Sequence, residues 1–254
     1  MKKKNLYIVG GSGLIGTSLI NKISENEYNI FNLDLVNKNK NKNIIFKKFD
    51  CSDLINIEKN LSKIFIQLGK PNCFVNCSYP VTRDWTKNNF KEINVKSFIE
   101  NINIHLGSYC WVSKIFADNM KKNNIEGKII MLSSIYGPVL AQNLDNYNNT
   151  NMKENMTYPI IKSGIVGATK QFAQYYGKNN IQINSVCPGL IKGHVKGSKN
   201  SQDKKFIKKY LNQTSLKRIC NPEEIANLIN FMISEKNSYI TGQSIIIDGG
   251  YSIV

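Results

Sequence analysis

The sequence has 254 residues, and 41% of them are hydrophobic, which is enough to bury the core of one large α/β domain or two small ones. Its formal net charge of +16 raises the question of a nucleic-acid or membrane partner. The lysines are spread along the chain, and only two of the 34 basic residues are arginine, so we expect neither nucleic-acid nor membrane binding.

The cysteines and the first residues indicate the compartment. Six cysteines are present, and none of their spacings matches a zinc site, so we expect no metal. Without a disulfide framework, a chain of this length favours a reducing compartment. The lysines after Met1 resemble the start of a signal peptide, but the apolar run that follows breaks into glycines without a cleavage pattern. No apolar stretch approaches the roughly 20 residues of a transmembrane helix, so we expect a soluble, cytoplasmic protein.

In chain order, short apolar runs predict strands, and longer runs with apolar residues three or four apart predict helices. The predicted strands are Leu6–Val9, Asn29–Leu33, Ile44–Phe49, Cys73–Asn76, Ile129–Leu132, Ile181–Val186 and Ser244–Ile247. The predicted helices are Leu14–Ser24, Ile55–Leu68, Ile102–Met120, Tyr158–Tyr176 and Pro222–Ile233. This alternation predicts an α/β fold with a doubly wound, Rossmann-type sheet of seven parallel strands, joined by right-handed crossovers.

Two long segments interrupt the alternation. No change in composition marks a second domain, so we expect residues 1–254 to form a single one. Residues 140–157 contain the Asn-rich Asn143–Met156 and are predicted to form an insert loop. Residues 190–212 contain the Lys-rich Lys192–Lys208, which should end in a short helix and border the substrate. Loops of this length in a compact domain are usually functional.

A glycine-rich loop directly follows the first predicted strand and opens the first helix. Glycines at this point permit a tight turn and let the backbone approach a pyrophosphate, while the helix N-terminus offers N–H groups to the phosphates. The glycine pattern indicates dinucleotide binding because it lies between a predicted strand and a predicted helix. The residues expected to bind the phosphates of a dinucleotide are Gly10, Ser12, Gly13, Leu14, Ile15 and Gly16.

Acidic residues follow the second and third predicted strands. Asp34 ends the second strand, where a carboxylate can accept hydrogen bonds from adenosine ribose hydroxyls and would repel a 2′-phosphate. We therefore expect NAD, with NADP less favoured, although three lysines close behind Asp34 would tolerate a phosphate. Asp50–Asp53 follows the third strand, and a helix N-cap formed by Ser52 or Asp53 is an alternative interpretation of it.

A candidate catalytic group combines three side chains. Tyr158 and Lys162 are four residues apart at the start of a helix and share one face. A nearby ammonium stabilises tyrosinate, so we expect the pKa of Tyr158 to lie below its usual value of about 10, which permits proton transfer at neutral pH. Ser134 ends a strand at the carboxyl edge of the sheet, where ligands bind in such folds. We expect Ser134 to hold a substrate oxygen while Tyr158 transfers its proton.

With these residues in place, the chain resembles the single-domain type of the short-chain dehydrogenase/reductase family over almost its whole length. The matching motifs are Gly10–Gly16, Asp50, Val75–Tyr79, Ser134, Tyr158, Lys162, Asn184–Ile191, Pro222–Ala226, Tyr239–Gly242 and Asp248–Gly250. The resemblance implies an oxidoreductase that moves a hydride between a nicotinamide dinucleotide and a substrate carbon. It further implies cofactor contacts from Asp50, Cys51, Asn76, Ser78, Tyr158, Lys162, Pro188, Gly189 and Ile191, and a homodimer or homotetramer formed through the long apolar helices.

The chain departs from the family pattern at His105. Alignment of the residues that follow places His105 where the family has a fourth catalytic residue, an asparagine, and Asn103 lies two residues away. His105 either replaces that asparagine in a proton relay or is a helix residue whose backbone carbonyl does the work. A second departure is the 24-residue step from Ser134 to Tyr158, longer than in typical members, which places the insert beside the substrate opening.

The third departure concerns the substrate. Cys77–Arg83 resembles the version found in family members that accompany surface-sugar and flagellin-glycan biosynthesis. It implies a polar sugar or nucleotide-sugar of the nonulosonate type, bound by Ser134, Tyr79 and Arg83. An arginine in a chain that otherwise uses lysine suggests a planar fork for a carboxylate or phosphate, with a surface ion pair as the alternative.

Two other functions remain open. A 3-oxoacyl-carrier-protein reductase also resembles this chain, and a basic surface would suit an acidic carrier protein. Enzymes of that class usually prefer NADP, which Asp34 opposes. The other function is a dinucleotide-sensing protein without turnover, against which the presence of Ser134, Tyr158 and Lys162 argues.

Overall fold

The computed structural model of the chain describes residues 3–193 and 202–254. The strands are β1 (Lys4–Val9), β2 (Tyr28–Asp34), β3 (Ile45–Lys48), β4 (Cys73–Asn76), β5 (Gly127–Leu132), β6 (Ile181–Pro188) and β7 (Ser244–Ile247). The helices are α1 (Leu14–Lys22), α2 (Ile57–Leu68), α3 (Val95–Asn101), α4 (Ser108–Lys122), α5 (Thr157–Tyr176), α6 (Lys204–Asn212) and α7 (Pro222–Ile233). None of the helices within this described part is long and apolar enough to cross a membrane.

The strands form one sheet in the order β3-β2-β1-β4-β5-β6-β7, and every neighbouring pair is parallel. The predicted doubly wound sheet of seven parallel strands is therefore confirmed. The chain order reverses at β1, which pairs with β2 on one side and β4 on the other. Open α/β sheets bind ligands outside the carboxyl ends of the strands at such a switch point.

Helices cover both faces of the sheet, and β1 shows why its sequence is continuously apolar. Tyr7 and Val9 belong to the core under α2, α4 and α5, whereas Leu6 and Ile8 belong to the core under α1 and α7. Successive side chains of a strand point to opposite faces, so a strand buried on both faces needs apolar residues at every position. The two cores fix the carboxyl edge on which the candidate site is built.

The helix predicted over Ile102–Met120 has a different course. The Asn94 side chain accepts a hydrogen bond from Ser97 N at 2.9 Å, so α3 begins seven residues before the apolar pattern does. Ile102–Gly107 then forms a π-helical turn that leads into α4. The predicted uninterrupted α-helix is wrong at this point, because a side-chain cap and a widened turn leave little trace in apolar spacing. Such π-turns are frequent at functional sites.

The 140–157 segment has little regular structure, with one short 3₁₀ turn at Leu144–Asn146. It is fastened to α6 through side chains. The Lys209 ammonium donates to the backbone carbonyls of Asp145 and Asn148, at 2.8 and 2.6 Å. Of the predicted 190–212 segment, residues 194–201 lie outside the described residues, and the described remainder ends in α6. The insert and α6 thus form one wall at the carboxyl edge.

Candidate active site

A cavity of about 820 Å³ runs along the carboxyl edge of the sheet. We call one end the glycine-loop end, which is lined by Gly10–Ile15, Asp34 and Asp50. The other is the insert end, which is lined by Gln142, Tyr147, Met152, Asn155, Phe206 and Tyr210. Ser134 and Tyr158 lie in the wall between the two ends. The volume is typical of small-molecule and cofactor sites.

The glycine loop is shaped by close backbone approach. Gly10 has a φ of +78°, and a Cβ there would lie 2.6 Å from the backbone nitrogen of Ser78. A Cβ on Gly16 would lie 2.3 Å from the carbonyl oxygen of Gly10. Five of the six residues predicted to bind the phosphates of a dinucleotide line the cavity, namely Gly10, Ser12, Gly13, Leu14 and Ile15. Gly16 packs behind the loop instead. The first turn of α1 therefore borders the cavity.

Asp34 is held in the cavity wall by backbone donors. Its Oδ2 accepts from Ser12 N at 2.9 Å, and its Oδ1 accepts from Leu35 N at 2.7 Å. The Ser12 hydroxyl donates to the carbonyl of Val36 at 2.7 Å, which fastens the loop after β2 to the glycine loop. Lys38 lines the same end of the cavity. The glycine-loop end thus presents a fixed carboxylate with one lysine beside it.

The residues after β3 and β4 complete this end. Asp50 Oδ1 accepts from the backbone nitrogen and the hydroxyl of Ser52, at 2.9 and 2.6 Å. Helix α2 begins at Ile57, so neither residue proposed as an N-cap, Ser52 or Asp53, caps it. Asp50 and Cys51 line the cavity together with Pro188, Gly189 and Ile191 at the end of β6.

Asn76 is fully buried and lies outside the cavity lining of the described residues. Its Oδ1 accepts from the backbone nitrogen and hydroxyl of Ser78, at 3.1 and 2.6 Å. The Tyr109 hydroxyl donates to the Ser78 carbonyl at 2.8 Å. Asn76 and Tyr109 thus shape the turn that brings Ser78 to the cavity. The apolar pattern of the helix gave no sign of this role for Tyr109.

Ser134 and Tyr158 meet in the cavity wall. Ser134 follows β5 and is 4% exposed; its hydroxyl accepts from Tyr136 N at 3.1 Å and lies close enough to the Tyr158 phenol to lower the pKa of that group. Tyr158 is the second residue of α5, and its backbone nitrogen donates to Asn155 Oδ1 at 2.8 Å. Both hydroxyls are therefore fixed by the end of a strand and the start of a helix.

Lys162 lies one helical turn beyond Tyr158 and is 2% exposed. Its ammonium donates to the carbonyl of Leu132 at 3.0 Å. The same Nζ lies 5.4, 5.2 and 5.5 Å from the ring centroids of Tyr79, Tyr109 and Tyr158. Aromatic faces attract a cation at such distances, so three tyrosines surround the buried charge.

The protonation of this pair differs from the prediction made from the sequence. Burial raises the pKa of Tyr158 to about 12, and the neighbouring Ser134 hydroxyl opposes that rise only in part. Burial also lowers the pKa of Lys162 to about 7. The expectation that Lys162 brings the pKa of Tyr158 below 10 is wrong here, because loss of hydration acts on both groups and the ammonium donates to Leu132.

His105 lies behind the cavity wall, in the π-helical turn. It is fully buried, and its ring lies 5.0 Å from the Tyr79 ring and 5.6 Å from the Tyr109 ring. Tyr79 lines the cavity, and its ring lies 6.0 Å from that of Tyr158. His105 therefore packs against Tyr79, and its catalytic role stays a prediction. Arg83 is exposed and lies outside the lining that the described residues form.

Sequence reasoning missed several residues of the site. Trp85 is buried, and its ring lies 6.5 Å from that of Tyr158. The sequence predicted that the insert borders the substrate but named none of its residues. In the structure, Gln142, Tyr147 and Asn155 of the insert line the cavity. Tryptophan occurs only twice in the sequence, and this rarity could have marked Trp85 as a candidate site residue. No group of three or more potential metal ligands occurs among residues 3–193 and 202–254.

Comparison with known proteins places the chain in a family. The family model described as "Enoyl-(Acyl carrier protein) reductase", which belongs to the short-chain dehydrogenases/reductases, matches residues 32–252. "Post-translational flagellin modification protein A" of Campylobacter coli is 29% identical over 265 residues, covering 100% of both chains. A 3-oxoacyl-(acyl-carrier-protein) reductase of Buchnera aphidicola is 31% identical over 216 residues, covering 85% of this chain and 80% of that protein.

A solved structure extends the match to three dimensions. The short-chain dehydrogenase of Leptospira borgpetersenii with bound NAD⁺ superposes with a TM-score of 0.85 and 25% identity, covering 99% of this chain and 94% of that one. The family match, the sheet topology and the site geometry agree with one another. The chain belongs to the short-chain dehydrogenase/reductase family of oxidoreductases.

Proposed function

We propose that the chain is an NAD-dependent oxidoreductase that interconverts a secondary alcohol and a ketone on a polar sugar or nucleotide-sugar, of the nonulosonate type. The observation that carries this proposal is that Ser134 and Tyr158 both lie in the wall of the cavity, where the Ser134 hydroxyl is close enough to lower the pKa of the Tyr158 phenol. Two hydroxyls at one point can hold one oxygen of a substrate and exchange a proton with it. Lys162, buried one turn away on the same helix, completes the group.

The glycine-loop end fits a dinucleotide. Gly10 and Gly16 leave no room for a Cβ, which lets backbone N–H groups of the loop and of the first turn of α1 approach a pyrophosphate. The fixed carboxylate of Asp34 is an acceptor for ribose hydroxyls and would repel a 2′-phosphate, which supports NAD over NADP. A bound nicotinamide dinucleotide supplies or accepts the hydride. The NAD⁺ bound by the Leptospira relative supports the same assignment.

The side chains of the site can manage the proton. With a pKa of about 12, Tyr158 carries its proton at neutral pH and can donate it to a substrate oxygen during reduction. Ser134 can hold that oxygen beside the phenol. Lys162, with a pKa of about 7, gains or loses a proton near neutral pH beneath the tyrosine rings. These states favour Tyr158 as the acid in the direction of ketone reduction.

The sugar substrate is supported by similarity and by the lining of the cavity. The flagellin modification protein matches this chain over the full length of both. Tyr79, Gln142 and Asn155 bring hydrogen-bonding groups to the cavity near Tyr158. Because Arg83 is exposed, we assign it to a phosphate or carboxylate of the substrate that extends outside the cavity.

A second candidate function is reduction of a 3-oxoacyl group on a carrier protein. The Buchnera relative carries that name, and a net charge of +16 would attract an acidic carrier protein. The carboxylate of Asp34 opposes the NADP that such enzymes prefer. The two functions therefore differ in both substrate and cofactor.

NADH absorbance decides between these functions. The purified protein is mixed with NADH or NADPH and with keto-sugars, nucleotide-linked keto-sugars, or an acetoacetyl thioester. We expect NADH to be oxidised by a keto-sugar substrate and to bind at least about tenfold more tightly than NADPH. Preferential turnover of the thioester with NADPH would establish the carrier-protein function. NADH binding without turnover of any ketone would indicate a sensor.

We further propose a cytoplasmic homodimer or homotetramer. All six cysteines are free, which suits a reducing compartment. Trp111 on α4 and Ile160 and Tyr175 on α5 are 43%, 45% and 52% exposed, and a second copy of the chain would cover them. Sedimentation analysis tests this assembly, and a monomer at micromolar concentration would contradict it.

A further inference from the structure

Two carboxamide side chains lie together at the insert end of the cavity. Gln142 and Asn155 stand near the two ends of the 140–157 segment, and both line the cavity that also contains Ser134 and Tyr158. Gln142 Oε1 accepts a hydrogen bond from the backbone nitrogen of Asn155 at 2.9 Å. This bond closes the insert into a loop and brings the Gln142 side chain to the backbone of Asn155.

The hydrogen bonds fix which way each carboxamide faces. A backbone N–H can only donate, so the atom facing it must be the carboxamide oxygen. In Asn155, Oδ1 accepts from Tyr158 N at 2.8 Å, and in Gln142, Oε1 accepts from Asn155 N. Neither amide nitrogen donates to a group within the described residues, so both NH₂ groups are available to an acceptor in the cavity.

The charge of the lining limits the kind of acceptor. Among the lining residues within 3–193 and 202–254, Lys38 at the glycine-loop end is the one cation. A carboxylate buried beside neutral amides and aromatic rings would lose its hydration without an opposite charge in return. Hydroxyl and carbonyl oxygens accept from NH₂ groups at a much smaller desolvation cost. The described part of the insert end therefore suits uncharged oxygens.

Aromatic rings form the opposite part of the insert end. The rings of Tyr147 and Phe206 lie 5.1 Å apart, and the Tyr210 ring stacks on Tyr251 at 4.0 Å. Tyr147, Phe206 and Tyr210 all line the cavity. The C–H face of a sugar is apolar and packs on such rings, while its hydroxyls point sideways towards polar groups.

We propose that Gln142 and Asn155 form a subsite that binds uncharged hydroxyl or carbonyl oxygens of the substrate through their NH₂ groups. The subsite binds the uncharged, hydroxyl-bearing part of the sugar, and a carboxylate or phosphate of the same substrate lies outside the cavity, near Arg83. This inference rests on the proposed function as a ketone reductase of sugars and names the chemical class that its insert end accepts. Asn155 also caps α5, so it links substrate binding to the position of Tyr158.

L-Sorbose is a commercially available probe of the subsite, because it carries a ketone and hydroxyls but no charged group. Its reduction by the wild-type protein is followed through the oxidation of NADH, which gives KM and kcat for comparison with the variants.

Two variants remove the donors while keeping the internal bonds. In Gln142→Glu, a carboxylate oxygen still accepts from Asn155 N, but the NH₂ group is gone. In Asn155→Ser, the hydroxyl still caps α5 without adding charge near Tyr158. We expect each to raise KM for L-sorbose about tenfold, with kcat and the Kd for NADH within about threefold of wild type. Asn149→Asp, on an exposed insert residue outside the described lining, adds the same charge as Gln142→Glu and should change neither KM nor kcat.

The outcomes separate the subsite from the reaction. Unchanged KM in both Gln142→Glu and Asn155→Ser would overturn the subsite even though the reductase function stands. If the wild type does not reduce L-sorbose, saturation-transfer NMR of L-sorbose with the NADH-bound protein tests binding alone. A signal that is lost in Gln142→Glu and kept in Asn149→Asp supports the subsite, and the absence of a wild-type signal overturns it.

Discussion

The two ends of the cavity are built by different means. At the glycine-loop end, the backbone makes the surface: glycines lie against one another, and strands β1 and β2 end side by side. At the insert end, side chains make the surface, and polar side chains hold the insert against α6 and the last residues of the chain. Asn146, for example, receives a hydrogen bond from Gln213 and donates one to the Tyr251 hydroxyl.

This difference determines what each end tolerates. A surface made by close backbone approach is disrupted when one carbon atom is added, because backbone atoms cannot relieve the clash by changing rotamer. A surface held by buried polar side chains fails when one of them is removed, because its partners are left without hydrogen bonds. The first depends on contacts between backbone atoms, such as that of Gly10 with Ser78, whereas the second depends on hydrogen bonds between side chains.

The largest effect is expected from Gly16→Ala at the glycine-loop end. The added Cβ would lie 2.3 Å from the Gly10 carbonyl oxygen and 2.6 Å from the Gly11 Cα, so the loop must move. We expect the Kd for NADH to rise about a thousandfold, which corresponds to about 4 kcal/mol. Fluorescence titration with NADH measures it.

The control is Gly167→Ala, in the exposed middle of α5, where an added Cβ meets nothing within 4 Å. This variant should bind NADH normally, because the substitution leaves the glycine loop untouched. Equal NADH binding by Gly16→Ala and Gly167→Ala would show that close backbone approach does not shape the glycine-loop end.

Asn88→Ala tests the polar side chains behind the insert end. Asn88 is 1% exposed, accepts from the Thr157 hydroxyl at 2.6 Å and donates to the Ser97 hydroxyl at 2.9 Å. Because Thr157 precedes Tyr158, we expect kcat to fall together with a loss of about 3 kcal/mol in the free energy of unfolding. Urea unfolding gives the second quantity.

Asn148→Ala serves as its comparison, since Asn148 is exposed on the insert. Its free energy of unfolding should stay within about 0.5 kcal/mol of wild type. A loss in Asn88→Ala no larger than that would mean that the buried polar groups do not hold this part of the structure together.

A smaller effect concerns pH. The pKa of Lys162 is about 7 in the folded protein and about 10.5 when the chain is unfolded. Between these values the unfolded state binds more protons, so the contribution of Lys162 to stability should rise with pH, by about 2 kcal/mol from pH 7 to pH 9. Burial also raises the pKa of Tyr158 and of thiols such as Cys51, Cys73 and Cys77, and these groups act in the opposite direction, the thiols above about pH 8 and Tyr158 above about pH 10.

Lys162→Met should remove that rise, whereas Lys170→Met, at an exposed position of the same helix, should keep it. Thermal unfolding of the three proteins across this pH range makes the comparison. The same slope in wild type and Lys162→Met would show that Lys162 keeps an ordinary pKa in the fold.

The same contrast explains what could be predicted from the sequence. The glycine loop, Asp34 and the seven strands were recognisable because neighbouring residues form them, and each strand lies within two residues of its predicted bounds. The residues that bind the insert could not be predicted, because hydrogen bonds such as that from Asn143 to Gln213 join residues 70 positions apart in the sequence. The early start of α3 depends on one side-chain cap, and the π-helical turn depends on tertiary packing.

Tyr158 is proposed to donate the proton to the ketone oxygen, and Tyr158→Phe removes the hydroxyl that would donate it. The rate of NADH oxidation in a single turnover is compared between wild type and Tyr158→Phe, with the ketone that the wild type reduces best. We predict a fall of about a thousandfold, because the phenol that supplies the proton is lost, with the Kd for NADH changed by less than about threefold. A Tyr158→Phe variant that reduces the ketone at the wild-type rate would contradict the assignment.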